Sequence, residues 1–296
     1  MQRERDDGGT GRTLILGATS LVGRFLTPRL VATGVRPLAL SRQGEPWFEG
    51  VDWIVDDLGD PGLGERLPEV STVLSLSPIW LLPQALPALI ARGASRVVAF
   101  SSTSRFTKTA SPVEAERAVA ARLADSEAST IALCEAAGVA WTLLRPTLIY
   151  AEGRDGNVSR LAALIRRLGF LPLAGSGGGL RQPVHADDLA VAALTAAASD
   201  AARDRAYDLP GGETLTYRAM AERVFEGLGR KPLILQVPAP LWSLAFALAR
   251  PLLPGATAAM GARMSEDLTF DADPARRDLG WAPRAFHPDF RRSPAP

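Results

Sequence analysis

The chain has 296 residues, of which 47% are hydrophobic. It is therefore long enough to bury the core of one large α/β domain, or of a domain with an appended lobe. Its 33 Lys and Arg residues nearly balance 32 Asp and Glu residues, which excludes a global field that would attract nucleic acid or an anionic membrane. Cys134 is the single cysteine, so an internal disulfide and a cysteine-based metal cage are excluded, and a reducing compartment such as the cytoplasm is indicated.

Two segments bear on targeting and on membranes. The first eleven residues, Met1–Gly11, are charged and glycine-rich without an apolar core, so we expect a flexible tail and not a signal peptide. The longest apolar run, Leu241–Leu253, is interrupted by Arg250 and Pro251 and is shorter than the roughly 18 residues of a membrane span. We expect a packed helix there; a lid, a dimer face or a membrane-surface contact is the alternative.

An apolar strand, a glycine-bearing turn and an amphipathic helix follow one another at Leu14–Leu26. Such a unit can hold a pyrophosphate on backbone N–H groups at the positive end of the helix. Gly17 is expected to form the tight turn, and Gly23 to allow close packing of helix and strand. Ser20 stands where a glycine usually admits the pyrophosphate, and it can donate its hydroxyl. The residues predicted to hold the dinucleotide here are Gly17, Thr19, Ser20, Leu21, Val22 and Gly23.

Short apolar runs alternate with helical patterns through the first half of the chain, which predicts a parallel sheet covered on both faces. The predicted strands are Thr13–Leu16, Pro37–Leu40, Trp53–Val55, Thr72–Leu76, Val97–Phe100 and Trp141–Leu144. The predicted helices are Leu21–Thr33, Gly62–Leu67, Pro83–Arg92, Pro112–Ala137 and Leu161–Leu168. The fold class is therefore α/β, with a Rossmann-type doubly wound parallel sheet.

The pattern changes after Tyr150, where polar and glycine-rich loops begin, and this change predicts a smaller C-terminal substrate lobe. The expected division is a tail at 1–11, a dinucleotide-binding domain at 12–150 and the substrate lobe at 151–296, with residues of about 184–210 packing back on the sheet. The remaining predicted elements are helices at Ala186–Ala198 and Tyr217–Leu228 and strands at Ala206–Leu209 and Leu233–Val237.

Five motifs in chain order resemble the atypical or extended short-chain dehydrogenase/reductase superfamily, which includes nucleotide-sugar epimerases and dehydratases. They are Gly17-Ala18-Thr19-Ser20-Leu21-Val22-Gly23, Phe100-Ser101-Ser102-Thr103, Leu144-Arg145-Pro146-Thr147-Leu148-Ile149-Tyr150, Arg181-Gln182-Pro183-Val184-His185-Ala186-Asp187-Asp188-Leu189-Ala190 and Asp278-Leu279-Gly280-Trp281-Ala282-Pro283. The resemblance extends over nearly the whole chain.

The resemblance implies further cofactor contacts. The second strand ends in Ser41-Arg42, and an arginine at this place accepts a 2′-phosphate, so NADP(H) is favoured over NAD(H). The alternative is that Arg42 is a solvated loop residue. Asp56 or Asp57 with Leu58 is expected beside the adenine, or else in a solvated turn. The remaining implied cofactor contacts are Leu76, Ser77, Ser101, Arg145 and Pro146.

The catalytic centre departs from the pattern of the family. Catalytic members of the superfamily use a Tyr and, four residues later, a Lys on one face of the long helix. The three tyrosines of this chain, Tyr150, Tyr207 and Tyr217, are followed at that spacing by Arg154, Gly211 and Ala221. If Glu127 matches the acidic residue that often lies beyond the lysine, the vacated positions are Val119 and Leu123, and both are apolar.

Thr103 is the retained member of the catalytic set, and Tyr150 or Lys108 is the candidate substitute for the missing acid. Each of them also has an ordinary structural interpretation, as a turn residue, a strand-end tyrosine or a solvated loop lysine. Arg181 is a candidate contact for a substrate diphosphate, or else part of an ion pair.

His185 is expected in a structural role in the same motif. Asp187 or Asp188 is expected to cap the helix that begins there, since an aspartate side chain can accept hydrogen bonds from its free N–H groups.

Two functional hypotheses stay open. The chain is either an NAD(P)-dependent oxidoreductase or epimerase with a non-standard site, or a catalytically inactive dinucleotide-binding module with a regulatory or structural role. The expected partners are a small-molecule substrate or none, without nucleic acid, metal or a membrane span. A homodimer stays open.

Overall fold

The computed structural model describes residues 12–42, 49–238 and 263–291. The predicted tail at 1–11 and the apolar run Leu241–Leu253 lie outside these ranges. Within them, no helix combines the length and the apolar character that crossing a bilayer requires.

The strands are β1 (Arg12–Leu16), β2 (Leu38–Ser41), β3 (Asp52–Val55), β4 (Val70–Ser75), β5 (Arg96–Phe100), β6 (Ala140–Pro146), β7 (Ile149–Tyr150), β8 (Leu171–Ala174), β9 (Leu180–Arg181), β10 (Val184–His185), β11 (Arg205–Leu209), β12 (Leu215–Thr216) and β13 (Ile234–Val237). The α-helices are α1 (Gly23–Ala32), α2 (Leu63–Arg66), α3 (Leu82–Ala91), α4 (Ser104–Thr107), α5 (Glu114–Ala136), α6 (Val158–Leu168), α7 (Ala186–Ala198), α8 (Tyr217–Gly227) and α9 (Asp273–Leu279). Single 3₁₀ turns lie at Ile79–Leu81 and Asp200–Ala202.

Seven strands form one sheet in the order β11-β6-β5-β4-β1-β2-β3. The pairings from β3 through β1 to β6 are all parallel, with Leu14 opposite Leu38 on one side and Val73 on the other. The order reverses between β1 and β4, which makes their carboxyl ends the topological switch point where ligands of such sheets bind. The predicted Rossmann-type α/β fold is confirmed.

The strands in the middle of the sheet are apolar runs because helices cover both faces. In β1, Leu14, Ile15 and Leu16 are completely buried. Their neighbours in β4 and β5, such as Val73 and Val97, belong to the same apolar cluster. A strand buried on both faces must be continuously hydrophobic, which is why the sequence pattern located this sheet.

The chain divides into two compact units. The first comprises the described residues up to 102 together with Ala121–Arg145 and Ala190–Tyr207. The second comprises Thr103–Ala120, Pro146–Leu189 and the described residues from 208 onward. The second unit has its own core, which includes Tyr150, Phe225 and Phe286. The predicted division after residue 150 stays a prediction.

Three short strand pairs build the second unit. They pair β7 with β10 and β8 with β13 in parallel, and β9 with β12 in antiparallel orientation. In the second pair Ile234 lies opposite Leu171, and both contribute to the core of this unit. The first pair places Val184 and His185, within the motif segment 181–190, beside the strand that ends at Tyr150.

Candidate functional site

The turn after β1 packs tightly against the end of β4. Gly17 has a φ of +80°, in the left-handed region that favours glycine. A Cβ at this position would lie 2.9 Å from the backbone nitrogen of Ser77 and 3.0 Å from the carbonyl carbon of Leu76. The position therefore has no room for a side chain, and the predicted residues Leu76 and Ser77 border the turn directly.

Gly23 brings the first turn of α1 onto the same loop. A Cβ here would lie 2.3 Å from the carbonyl oxygen of Ala18 and 2.5 Å from that of Gly17. Atoms cannot approach that closely, so only glycine allows the helix to begin where it does. The helix N-terminus, with its partial positive charge, thus lies against the turn.

Ser20 organises the hydrogen bonds between the turn and the helix. Its backbone nitrogen donates to Gly17 O at 2.9 Å, and its Oγ accepts from the backbone nitrogen of Gly23 at 3.1 Å. A hydroxyl that accepts one hydrogen bond can still donate its own hydrogen. The replacement of a glycine by Ser20 is therefore compatible with a phosphate at this turn, beside the half-buried Thr19 and Leu21 and the buried Val22.

The carboxyl ends of β2 and β3 place the other predicted nucleotide contacts together. Ser41 is half-buried and its carbonyl accepts from Asp56 N at 3.0 Å, whereas Arg42 is exposed. Leu58 is buried. Asp57 is exposed, with its Oδ1 accepting from Gly59 N at 2.8 Å.

The structure separates the roles of the two adjacent aspartates. Asp56 Oδ2 lies 2.6 Å from Nε of Arg66, and this hydrogen bond holds the pKa of the Asp56 carboxyl below its ordinary value. Asp57, not Asp56, is therefore the carboxylate that faces solvent at the end of β3.

A buried carboxylate ties β5, β6 and α5 together. Glu127 is fully buried and accepts from Ser101 Oγ at 2.5 Å. The guanidinium of Arg145 donates to the same carboxylate, with Nη2 to Oε2 at 2.6 Å and Nε at 3.1 Å. The side chains of Ser101 and Arg145, both predicted cofactor contacts, thus hold the sheet edge in place through Glu127. The sequence named these residues but not their common partner.

If Glu127 matches the acidic residue of the family, the positions of the catalytic pair carry no proton-transfer group. Val119 is 37% exposed and Leu123 only 5% exposed. Leu123 packs in the apolar cluster of the large sheet, with residues of β4 and β5. A hydrocarbon at these places can neither lower a phenol pKa nor hold a ribose hydroxyl.

The hydroxyl of Thr103, the residue predicted to remain from the catalytic set of the family, is hydrogen-bonded to the backbone. Its Oγ1 donates to Pro146 O at 3.1 Å, and its backbone nitrogen donates to the same carbonyl oxygen at 3.2 Å. Thr103 and Pro146 are both buried. The arrangement fastens α4 to the end of β6, so the threonine proton is already engaged.

Tyr150 lies in the core of the second unit. It is 2% exposed, and its ring makes edge-on contacts with His185 at 5.0 Å and Phe286 at 4.9 Å between centroids. Burial raises the pKa of its phenol above the ordinary value. A catalytic tyrosine needs the opposite shift.

His185 and its neighbours form a structural network. Its Nδ1 accepts from the backbone nitrogen of Asp187 at 3.1 Å, and its Nε2 lies 3.2 Å from Glu152 Oε2. Because Nδ1 accepts a hydrogen bond, Nε2 is the ring nitrogen that can donate to Glu152. Histidine accepts this amide at the start of α7. Asp187 and Asp188 each lie 2.7 Å from Nη2 of Arg284. The capping role predicted for one of these aspartates stays a prediction.

Arg181, the predicted substrate contact, is buried with 6% exposure. Its Nη1 donates to Leu180 O and Glu266 O, both at 2.7 Å, and its Nη2 donates to Arg263 O. Its Cζ stacks 5.6 Å from the ring centre of Tyr217. The partners of the Arg181 guanidinium are therefore backbone carbonyls, and not the carboxylate of the ion pair expected as the alternative. Burial lowers the pKa of this guanidinium from its ordinary value.

Known proteins resemble this chain in sequence and in fold. The sequence profile of the NAD dependent epimerase/dehydratase family matches residues 84–209. The chain is similar to that family. This match, together with the structural neighbours below, confirms the resemblance that the five motifs predict.

Two solved structures share the epimerase-like fold. MoeE5 in complex with UDP-glucose and NAD superposes with a TM-score of 0.70 at 20% identity, covering 93% of this chain and 94% of MoeE5. An epimerase from Methanothermobacter thermautotrophicus superposes with a TM-score of 0.73 at 17% identity, covering 96% and 90%. At these identities the likeness establishes the fold.

One curated relative is the mitochondrial NADH dehydrogenase [ubiquinone] 1 alpha subcomplex subunit 9 of Arabidopsis thaliana. It is 32% identical over 127 residues, which is 42% of this chain and 30% of the plant protein. A second curated relative is covered over 37% of its length. The chain thus spans about a third of the length of the curated relatives it matches.

Proposed function

We propose that the chain is a dinucleotide-binding module that holds NADP(H) and does not perform the hydride transfer of its epimerase-like relatives. The proposal is supported by two observations taken together: the chain has the glycine turn that can hold a phosphate, and its candidate catalytic side chains are not available as proton donors. Gly17 and Gly23 allow the turn after β1 and the N-terminus of α1 to pack closely together, which is the arrangement in which a helix N-terminus can hold a phosphate. With Glu127 matched to the acidic residue of the family, Val119 and Leu123 occupy the two positions of the proton-transfer pair.

The surroundings of Thr103 and Tyr150, the two candidate catalytic residues, support the absence of hydride-transfer chemistry. The Thr103 hydroxyl donates to a backbone carbonyl, and burial raises the pKa of Tyr150. Neither side chain is therefore poised to exchange a proton near neutral pH. A non-standard oxidoreductase would need an acid from outside this set.

Arg42 supports NADP(H) over NAD(H). It is exposed directly after β2, at the strand end where a basic residue meets a 2′-phosphate and an acidic one would meet a ribose hydroxyl. MoeE5 was solved with NAD bound, which supports a nicotinamide dinucleotide in the same fold. The plant relative is named as a subunit of an NADH dehydrogenase, which supports a role as one component of a larger assembly.

Titration with NADPH and NADH, followed by nucleotide fluorescence, tests the proposal. We expect saturable binding of both, with NADPH at least about tenfold tighter, which corresponds to about 1.4 kcal/mol. Absence of binding of either nucleotide at millimolar concentration would contradict it. Turnover is tested with simple ketones and UDP-sugars. Robust turnover that Thr103→Ala abolishes would show that the site is catalytic after all.

A further inference from the structure

One arginine lies stacked on a tryptophan in the unit that contains the phosphate turn. The Cζ atom of Arg122, on α5, is 4.6 Å from the centre of the Trp80 ring, which belongs to the 3₁₀ turn after β4. Within the part of the chain that the structure describes, no hydrogen bond or ion pair is made by this guanidinium. Arg122 is exposed, so its N–H donors are accessible to a ligand.

Arg122 lies on the part of α5 that extends past the carboxyl ends of the sheet strands. Glu127, on the same helix, accepts a hydrogen bond from Ser101, the residue that directly follows β5. Arg122 is five residues earlier, about 7.5 Å further toward the start of the helix at a rise of 1.5 Å per residue. Since α5 runs from the end of β5 to the start of β6, Arg122 lies past the carboxyl edge, where doubly wound sheets bind their ligands.

The loop that carries Trp80 begins at the phosphate turn. The Ser77 nitrogen is 2.9 Å from a Cβ built on Gly17. Trp80 is three residues further along, so its Cα is at most about 11 Å from that of Ser77. The proposed adenosine-side contacts, Arg42 and Asp57, follow β2 and β3, on one side of the switch point. The other half of a dinucleotide must therefore extend over β4 and β5, toward Trp80 and Arg122.

The position matched to the family's lysine directly follows Arg122 in the sequence. Leu123 occupies it and is buried among apolar side chains. Arg122 is turned by about 100° around the helix from Leu123, is exposed, and carries a charge at a height along the axis that differs by only about 1.5 Å. We propose that Arg122, held in position by Trp80, provides a cationic contact for the phosphate of the nicotinamide-mononucleotide half. The contact rests on the proposed dinucleotide function.

Two ligands separate this contact from the rest of the site. NADPH carries both halves of the dinucleotide, whereas adenosine 2′,5′-bisphosphate carries only the adenosine-side groups. We expect Arg122→Gln to weaken NADPH binding about tenfold and to leave bisphosphate binding within about twofold, because only the first ligand reaches Arg122. Trp80→Leu, which removes the stacking surface, gives the same pattern with a smaller loss.

Arg117→Gln is the matched control, since Arg117 is an exposed arginine of the same helix whose Nη1 donates to Ser111 O. It should change neither affinity. NADPH binding within twofold of wild type in Arg122→Gln would overturn the proposal, and so would an equal loss of both ligands, which indicates a structural role. A wild-type chain that binds neither ligand refutes the proposed function itself, so the two failures are distinguishable.

Discussion

Replacement of Gly23 by alanine tests the contact between α1 and the phosphate turn. The added Cβ would lie 2.3 Å from Ala18 O, about 1 Å short of the 3.4 Å at which ordinary van der Waals contact begins. Both oxygens it meets are backbone atoms, so no side chain can rotate away. The helix N-terminus must then withdraw from the turn by about 1 Å. We expect a loss of about 2 to 3 kcal/mol in the free energy of unfolding, in the range of overpacked cores.

The same displacement should weaken NADPH binding by tenfold or more, because the backbone N–H groups no longer converge on one phosphate. Gly34→Ala is the matched control after the same helix. Gly34 has a φ of +84° with nothing within 4 Å of a built Cβ, so it should cost about 1 to 2 kcal/mol from left-handed strain and leave binding intact.

Urea denaturation and nucleotide titration measure both quantities on the same preparations. If Gly23→Ala unfolds at the wild-type free energy and binds NADPH within twofold of wild type, the close packing of helix and turn is not what forms the site.

Three further predictions use other parts of the molecule. Arg42→Asp should reverse the preference for NADPH over NADH in the titration, and an unchanged ratio would remove the role assigned to Arg42. Glu127→Ala should reduce the free energy of unfolding in urea by about 3 to 5 kcal/mol, because it removes the buried carboxylate that pairs with the half-buried guanidinium of Arg145. Glu127→Gln should lose less, and equal stability of all three chains would contradict the network. Burial alone would raise the pKa of Glu152, but hydrogen bonding from His185 lowers that pKa on balance below its ordinary value of 4.5. The pair therefore stabilises the fold above about pH 4.5, and this contribution is lost as the pH falls through the lowered pKa. Glu152→Gln should flatten that part of the pH–stability curve.

The strands of the large sheet could be predicted because burial on both faces demands an uninterrupted apolar run. Val97–Phe100 was predicted and Arg96–Phe100 is observed. The start of α1 was less accurate, since the pattern suggested Leu21 and the helix begins at Gly23. The difference arises because the Ser20 hydroxyl accepts the Gly23 amide and keeps the intervening residues in a turn.

The use of individual polar side chains could not be predicted, because their partners are far away in sequence. Arg181 donates to a carbonyl 85 residues along the chain, and Asp188 pairs with an arginine 96 residues away. The motif resemblance suggested a substrate contact for Arg181, and the partners that the structure shows for it are backbone carbonyl groups; the substrate contact stays a prediction. The stack of Arg122 on Trp80 was missed for the same reason, although an arginine beside the vacated lysine position was a signal in the sequence.

A crystal structure of the chain with NADPH tests the central claim most directly. The account predicts the pyrophosphate on the turn from Gly17 to Gly23, the 2′-phosphate beside Arg42, and no acidic or basic side chain within hydrogen-bond distance of the position that a substrate oxygen would take at the nicotinamide ring. A pyrophosphate bound elsewhere, or the Thr103 or Tyr150 hydroxyl aimed at that position, would contradict it.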